Sequence, residues 1–336
     1  MTEETKTNVN TQHTRRIQQI QVEISAAECD LTTLRSLVWH GVDCELRSYV
    51  WQLLIGYLPV TLDRRAQALE RKRNEYLQYR AEIYEERSQH QTEKHLKDLK
   101  QIEDDIPRTQ PDVPMFRDEP IREVLRRILY IWSVRHPASG YVQGINDLCS
   151  IFLIVFMMPY CSFRILAEPG SLPENMDELE ADAYWCLNIM VESIQDYFFP
   201  SSPGIQRALI KISEIIFRVK QELIYHFKGE QLEMIHFSFR WFNCMFIREF
   251  SLPMLFRVWD ALFTMQDGFR ILSVYIAAAI VLRWEKELIG KNFSELMIFL
   301  QNLPTSRWTE REIEELLSQS YVYFTWFESS PNHLKA

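Results

Sequence analysis

Two short strings carry side chains able to manage negative charge and water. Ile102-Glu-Asp-Asp105-Ile-Pro-Arg108-Thr109 holds an arginine next to a proline. Pro107, Pro111 and Pro114 follow one another too closely for a continuous helix, so an extended loop is expected from Asp104 to Pro114, with Arg108 projecting from it. A guanidinium is planar and permanently charged, and it meets anionic oxygens with two directed hydrogen bonds. The second string, Ser139-Gly140-Tyr141-Val142-Gln143-Gly144-Ile145-Asn146-Asp147-Leu148, sets a carboxamide in a short stretch flanked by glycines. A carboxamide both accepts and donates hydrogen bonds but is no strong base, so its chemistry is positioning. The plainer alternatives are an exposed Arg108 paired with Asp104 or Asp105, and a Gln143 that caps a helix start.

Helices must position these strings. Leu31, Leu34, Leu37 and Val38 share a face after Asp30, with Gly41 as a stop. Leu46, Tyr49, Val50, Leu53 and Leu54 repeat at helical spacing, and Gly56 suits the residue after the last turn. Residues 62–100 are highly charged, yet Leu69, Tyr76, Tyr79, Ile83 and Tyr84 keep helical spacing, which predicts a solvated helix with one docked face. Ile121 to Trp132 and the apolar run Leu148 to Cys161 predict helices on either side of the glutamine string. Ala167 to Asp182, rich in Pro, Gly and acids, is expected to be a loop. Further helical patterns cover Ala183 to Gln195, Ile205 to Phe227, Trp241 to Phe250, Leu252 to Phe263 and Ile271 to Leu282. Asn292-x-x-Glu295 and Thr309-x-x-Glu312 are capping-box strings. No run of alternating strands stands out, so the fold is expected to be all-α.

Composition removes several function classes. The chain has 336 residues and nine glycines, well under the usual share of about 7%. Neither a G-x-x-x-x-G-K-[ST] nor a G-x-G-x-x-G string is present, which argues against a phosphate-cradling loop of its own. A net charge of −9 disfavours nucleic acid as a partner. The first residues lack a signal-peptide core, and Leu148 to Cys161 falls short of the roughly 20 residues that span a bilayer. Six cysteines form no C-x-x-C and are expected as free thiols, and eight scattered histidines form no metal motif.

The two strings resemble the signature motifs of the TBC domain, the catalytic module of Rab GTPase-activating proteins: I-x-x-D-x-x-R on Ile102, Asp105 and Arg108, and Y-x-Q-G on Tyr141, Gln143 and Gly144, followed by Asn146 and Asp147. Ile145 stands where the family usually has Met. Further resemblances are Arg47 and Trp51 in the string ending Gly56-Tyr57-Leu58-Pro59, then Phe239-Arg240-Trp241, Arg248-Glu249-Phe250 and Arg257-Val258-Trp259-Asp260. They span about residues 31–330, and the long charged segment before Arg108, Gln195-Asp196, Pro203-Gly204-Ile205-Gln206 and Leu300-Gln301-Asn302-Leu303-Pro304 look most like one branch, the Golgi-associated Ypt/Rab activators of yeast and their animal relatives.

The resemblance implies an all-α fold of two helical subdomains, about 31–200 and 201–330, forming a V-shaped groove. A polar, mobile lead-in over 1–30 and a tail over 331–336 would flank it. It implies that Arg108 acts as an arginine finger and Gln143 as a glutamine finger, supplied in trans to a GTP-bound Rab that brings GTP and Mg²⁺ itself. No cofactor, metal or stand-alone hydrolase activity is expected. Asp105 is expected to hold the Arg108 loop through backbone N–H groups, Asn146 and Asp147 to fix the glutamine turn, and Ile102, Tyr141 and Gly144 to support the motifs. Arg47, Arg240, Arg257 and Asp260 are expected in buried ion pairs, with Trp51, Trp241 and Trp259 in the core. The implied setting is vesicle traffic, in the cytoplasm and peripherally at the Golgi or other endomembranes. The rival reading is a catalytically silent Rab-binding scaffold.

Overall fold

The computed structural model describes residues 3–87, 91–161 and 173–328. The side chain of Cys161, the stretch 167–172 of the acidic segment and the tail 331–336 lie outside them. The fold is all-α: among the described residues there are sixteen α-helices, and the one extended pairing is an isolated bridge between Glu28 and Thr61. The chain divides into two compact units, Met1–Glu192 and Ser193–Ala336.

The first unit holds α1 (Glu3–Ile24), α2 (Leu31–Val38), α3 (Cys44–Leu54), α4 (Arg65–Tyr79), α5 (Glu93–Asp105), α6 (Glu119–Arg135), α7 (Ile145–Cys161) and nearly all of α8 (Met176–Ser193). Asp30 and Asp43 cap α2 and α3 by accepting the backbone N–H groups of Thr32 and Glu45. Gly41 and Gly56 follow them in the left-handed region, where a side chain would be strained. Helix α7 is apolar on every side because it is buried on every side: Ile151 to Met158 are all inside, and α3 and α6 pack against it. Trp51 meets Phe152 edge-on at 6.3 Å.

The polar lead-in carries a helix that docks at its end. Residues Glu3–Ile24 are helical, Ile20 and Ile24 are buried one turn apart, and Arg65 donates to the Ile24 carbonyl. In α3 the buried residues are Arg47, Val50, Trp51, Gln52, Leu53 and Leu54, whereas Leu46 and Tyr49 are only half-buried.

The acidic segment corrects a second expectation. From Met176 it is helix, not loop, because its acids face arginines in addition to water. Asp177 and Glu178 sit in the first turn of α8, where the helix dipole favours them. Arg73 of α4 grips Asp182 through Nε at 3.0 Å and Nη2 at 2.8 Å. Arg127 of α6 does the same to Glu180, which also accepts the Tyr76 hydroxyl at 2.6 Å. Glu180 is 0% exposed, so its charge depends on these donors. Glu180→Gln keeps the shape but turns an NH₂ group toward Arg127. It is expected to cost about 1–3 kcal/mol, read as a lower denaturant midpoint at unchanged slope.

The second unit is built on α13 (Leu272–Arg283), which packs against α9 (Pro203–Val219) and α16 (Glu310–Glu328) and is inward-facing from Leu272 to Val281. The expected single helix from Ile205 to Phe227 is two, α9 and α10 (Gln221–Gly229), broken where Lys220 is extended at φ −147°. The pattern from Trp241 to Phe250 is likewise not continuous. Helix α11 (Ile235–Asn243) ends there, Met245 and Phe246 take positive φ, and Arg240 reaches forward to Glu249. That pair folds the chain back before α12 (Leu252–Thr264), whose Trp259 donates to the Met245 carbonyl at 3.0 Å. Helix α14 (Glu285–Leu288) follows, and both arms of the Asn292–Glu295 box start α15 (Phe293–Gln301).

The motif residues outside the two strings have these surroundings. Arg240–Glu249 and Arg257–Glu314 each bury one partner and leave the other at the surface. Arg47 donates to the Val42 carbonyl, Asp260 is fully buried, and Trp51, Trp241 and Trp259 lie in their cores.

Candidate functional site

Helix α5 and the turn before α7 build the site. Helix α5 ends at Asp105 and tightens into a 3-10 turn over Ile106–Arg108. Pro107 is tolerated there because the first N–H groups of a helical turn have no partner to lose. The stretch expected to be an extended loop therefore begins as helix, turns at Thr109, and forms a second 3-10 turn over Pro114–Arg117. Arg108 stands at a helix end, with its side chain 64% exposed. Its Nε donates to the Asp104 carbonyl at 3.0 Å and its Nη2 to Asp105 Oδ1 at 3.0 Å.

The glutamine turn is pinned by glycine at both ends. Gly140 has φ +65° and Gly144 φ +108°. Between them Tyr141 points inward and Gln143 outward. The Gly144 N–H donates to Asn146 Oδ1 at 3.0 Å, a local turn that starts α7.

Asp105 joins the two strings. Its carboxylate is 4% exposed. Its Oδ1 accepts both Arg108 Nη2 and, at 3.3 Å, Gln143 Nε2. The carboxylate thus takes side-chain donors from both motifs, where backbone N–H groups were expected. The Tyr141 hydroxyl lies 3.0 Å from Asp105 Oδ2 and 3.1 Å from Asn146 Oδ1, with one proton to place between them. Burial, then the Asp105 charge, push the Tyr141 hydroxyl far above its ordinary pKa, so it stays a donor at any physiological pH.

Asn146 Nδ2 donates to Thr109 Oγ1 at 2.9 Å, and that hydroxyl donates to the Asp105 carbonyl at 3.0 Å. The ring Asp105–Tyr141–Asn146–Thr109 closes on itself beneath the two exposed side chains. Sequence reasoning passed over Thr109, which stands next to Arg108 and is buried. A hydroxyl directly after the arginine was its one signal. Ile102 and Asp147 are buried as well.

Chemically, the site presents one cation and one carboxamide side by side on a rigid polar base. It suits a phosphoryl group with a water beside it. Among the described residues no group of three His, Cys, Asp or Glu side chains could hold a metal ion, and no helix is long and apolar enough to cross a membrane.

Residues 44–289 match the family model described as the Rab-GTPase-TBC domain. The chain is 37% identical over 323 residues to TBC1 domain family member 22B of Homo sapiens, covering 95% of this chain and 63% of that protein. It is also 37% identical over 327 residues to the GTPase-activating protein gyp1 of Schizosaccharomyces pombe, again covering 95% and 63%. The chain thus spans under two thirds of the length of these curated relatives. Among solved structures it is similar to the crystal structure of the Ypt/Rab-GAP domain of Gyp1p, with TM-score 0.88, 36% identity and coverage of 93% of this chain and 98% of that one.

Proposed function

We propose a function from one premise: the chain belongs to the Rab-GTPase-TBC domain family. It acts as a GTPase activator for a Rab-type GTPase in its GTP form. Arg108 places its guanidinium on the phosphoryl and bridging oxygens that gain charge during hydrolysis, and Gln143 orients the attacking water. The nucleotide and its Mg²⁺ belong to the GTPase, and this chain adds no cofactor of its own. The setting is vesicle traffic, with the protein acting from the cytoplasm at the Golgi or a related membrane.

The observation that carries this reading is the shared carboxylate. Arg108 and Gln143 are both exposed, and both hang from Asp105 Oδ1. They start side by side and can swing outward together. Arg108 is largely exposed while Asp105 is buried, so releasing the guanidinium costs on the order of 1 kcal/mol. An arginine finger returns roughly 10³ to 10⁵ in rate, or about 4–7 kcal/mol, so the release is affordable many times over. Once the two side chains leave, Asp105 still holds the Tyr141 hydroxyl and the turn keeps its shape.

A binding experiment with a transition-state mimic tests the proposal. The protein should bind a Rab loaded with GDP and aluminium fluoride much more tightly than the same Rab with GDP alone, and Arg108→Ala should abolish the difference. Equal binding to both states across a Rab panel would leave a silent Rab-binding module as the better reading.

A further inference from the structure

Helix α5 does more than end in the arginine turn. It touches the glutamine turn at three levels. Lys94 Nζ donates to the Pro137 carbonyl, Asp98 Oδ2 accepts the Tyr141 N–H at 3.2 Å, and Asp105 takes the Tyr141 hydroxyl and the Gln143 amide. Positions 94, 98 and 105 fall on one face of an α-helix, since 11 residues make about three turns. Lys94 is at the surface and contributes little. Asp98 is different. It is buried at 8% exposure, and its partner here is a backbone amide in the turn that carries Gln143. A carboxylate buried on a backbone N–H gives that amide one fixed place.

Gly140 confirms how closely the two parts are fitted. A Cβ there would lie 3.0 Å from Asp98 Oδ2 and 3.0 Å from Lys94 Cε, on a backbone already at φ +65°. The turn therefore rests directly on Asp98, one residue before Tyr141 and three before Gln143.

We propose that Asp98 is a positioning residue for Gln143: it fixes the Tyr141 amide, and through it the height of the carboxamide relative to Arg108 in the 3-10 turn that ends the same helix. This rests on the function proposed above, in which Gln143 orients water. A misplacement of about 1 Å in such a group costs on the order of 10²-fold in rate, so a partial shift should cost about tenfold.

The test has two arms. In the full chain without a GTPase, Asp98→Ala should speed hydrogen exchange at the Tyr141 amide by at least about tenfold, and Asp98→Asn, which keeps an acceptor oxygen, should not. If Asp98→Ala fails to fold, Asp98→Leu takes its place, since it fills a similar space while offering the Tyr141 amide no acceptor. Unchanged exchange in the folded variant overturns the proposal. In single-turnover hydrolysis on a GTP-loaded Rab, Asp98→Ala should lower the maximal rate about tenfold without shifting the half-saturating concentration. It should have no further effect in a Gln143→Ala background. A loss that multiplies with Gln143→Ala would mark a merely structural role and overturn the proposal. Should the unaltered protein accelerate no Rab, the functional reading falls, and the exchange arm alone decides the role of Asp98.

Discussion

Arg108→Ala is expected to lower the maximal single-turnover hydrolysis rate on a GTP-loaded Rab by at least about 10²-fold, with the fold intact and only about 1 kcal/mol less stable. The size follows from what the guanidinium would do. It meets charge that exists only as the phosphoryl group transfers, so its loss appears in the maximal rate and little in affinity. The stability expectation follows from its surroundings. Arg108 is largely exposed and its bonds are local, to the Asp104 carbonyl and to Asp105 three residues earlier. With Asp105 buried, such a pair contributes on the order of 1 kcal/mol. When it is gone, Asp105 keeps the donors Tyr141 and Gln143. Arg108→Lys should recover only a small part of the rate. A lysine carries the charge but lacks the planar fork that addresses two oxygens at once. Phosphate release followed beside a thermal melt separates the two effects.

Gln143→Ala is expected to cost about 10²-fold in the same assay, again in the maximal rate. The carboxamide is exposed, and its bond to Asp105 is a long one at 3.3 Å, so the fold does not depend on it. Gly140 and Gly144 hold the turn, and Tyr141 anchors it from inside, whatever side chain occupies position 143. Because Arg108 and Gln143 share one oxygen and would serve one transition state, the double variant should fall well short of the product of the two losses. A product of the two would mean that they work on separate steps.

Much of this site was legible in the sequence, and the gaps have physical causes. The two strings and the glycines around Gln143 announced themselves by residue type. Their meeting at Asp105 did not, because sequence distance says nothing of the space between them. The charge pattern over 62–100 predicts a solvated helix with one docked face, and the end of that stretch is the start of α5. Its buried face includes two carboxylates, Asp98 and Asp105, and a polarity pattern counts such residues as outward. The same blindness made a loop of the start of α8, whose acids are half in water and half on Arg73, Arg80 and Arg127. Arg108 was expected on an extended loop because of its prolines, but Pro107 sits in a first turn, where proline does not break helix. The break after α11 depends on Arg240 reaching Glu249, a tertiary contact that no local periodicity encodes.

The low glycine count now has a narrower meaning. On the proposed function the phosphate loop belongs to the partner, and this chain spends glycine on its own turns and close contacts. Gly140 and Gly144 are two such places.

The central claim is that this chain completes the active site of another protein. Single-turnover phosphate release from a panel of GTP-loaded Rab GTPases, with and without the purified chain, tests it most directly. The account expects at least one Rab to be accelerated by roughly 10³-fold or more at saturation, with Arg108→Ala removing most of that gain. No acceleration of any Rab, or acceleration that survives Arg108→Ala undiminished, would contradict it.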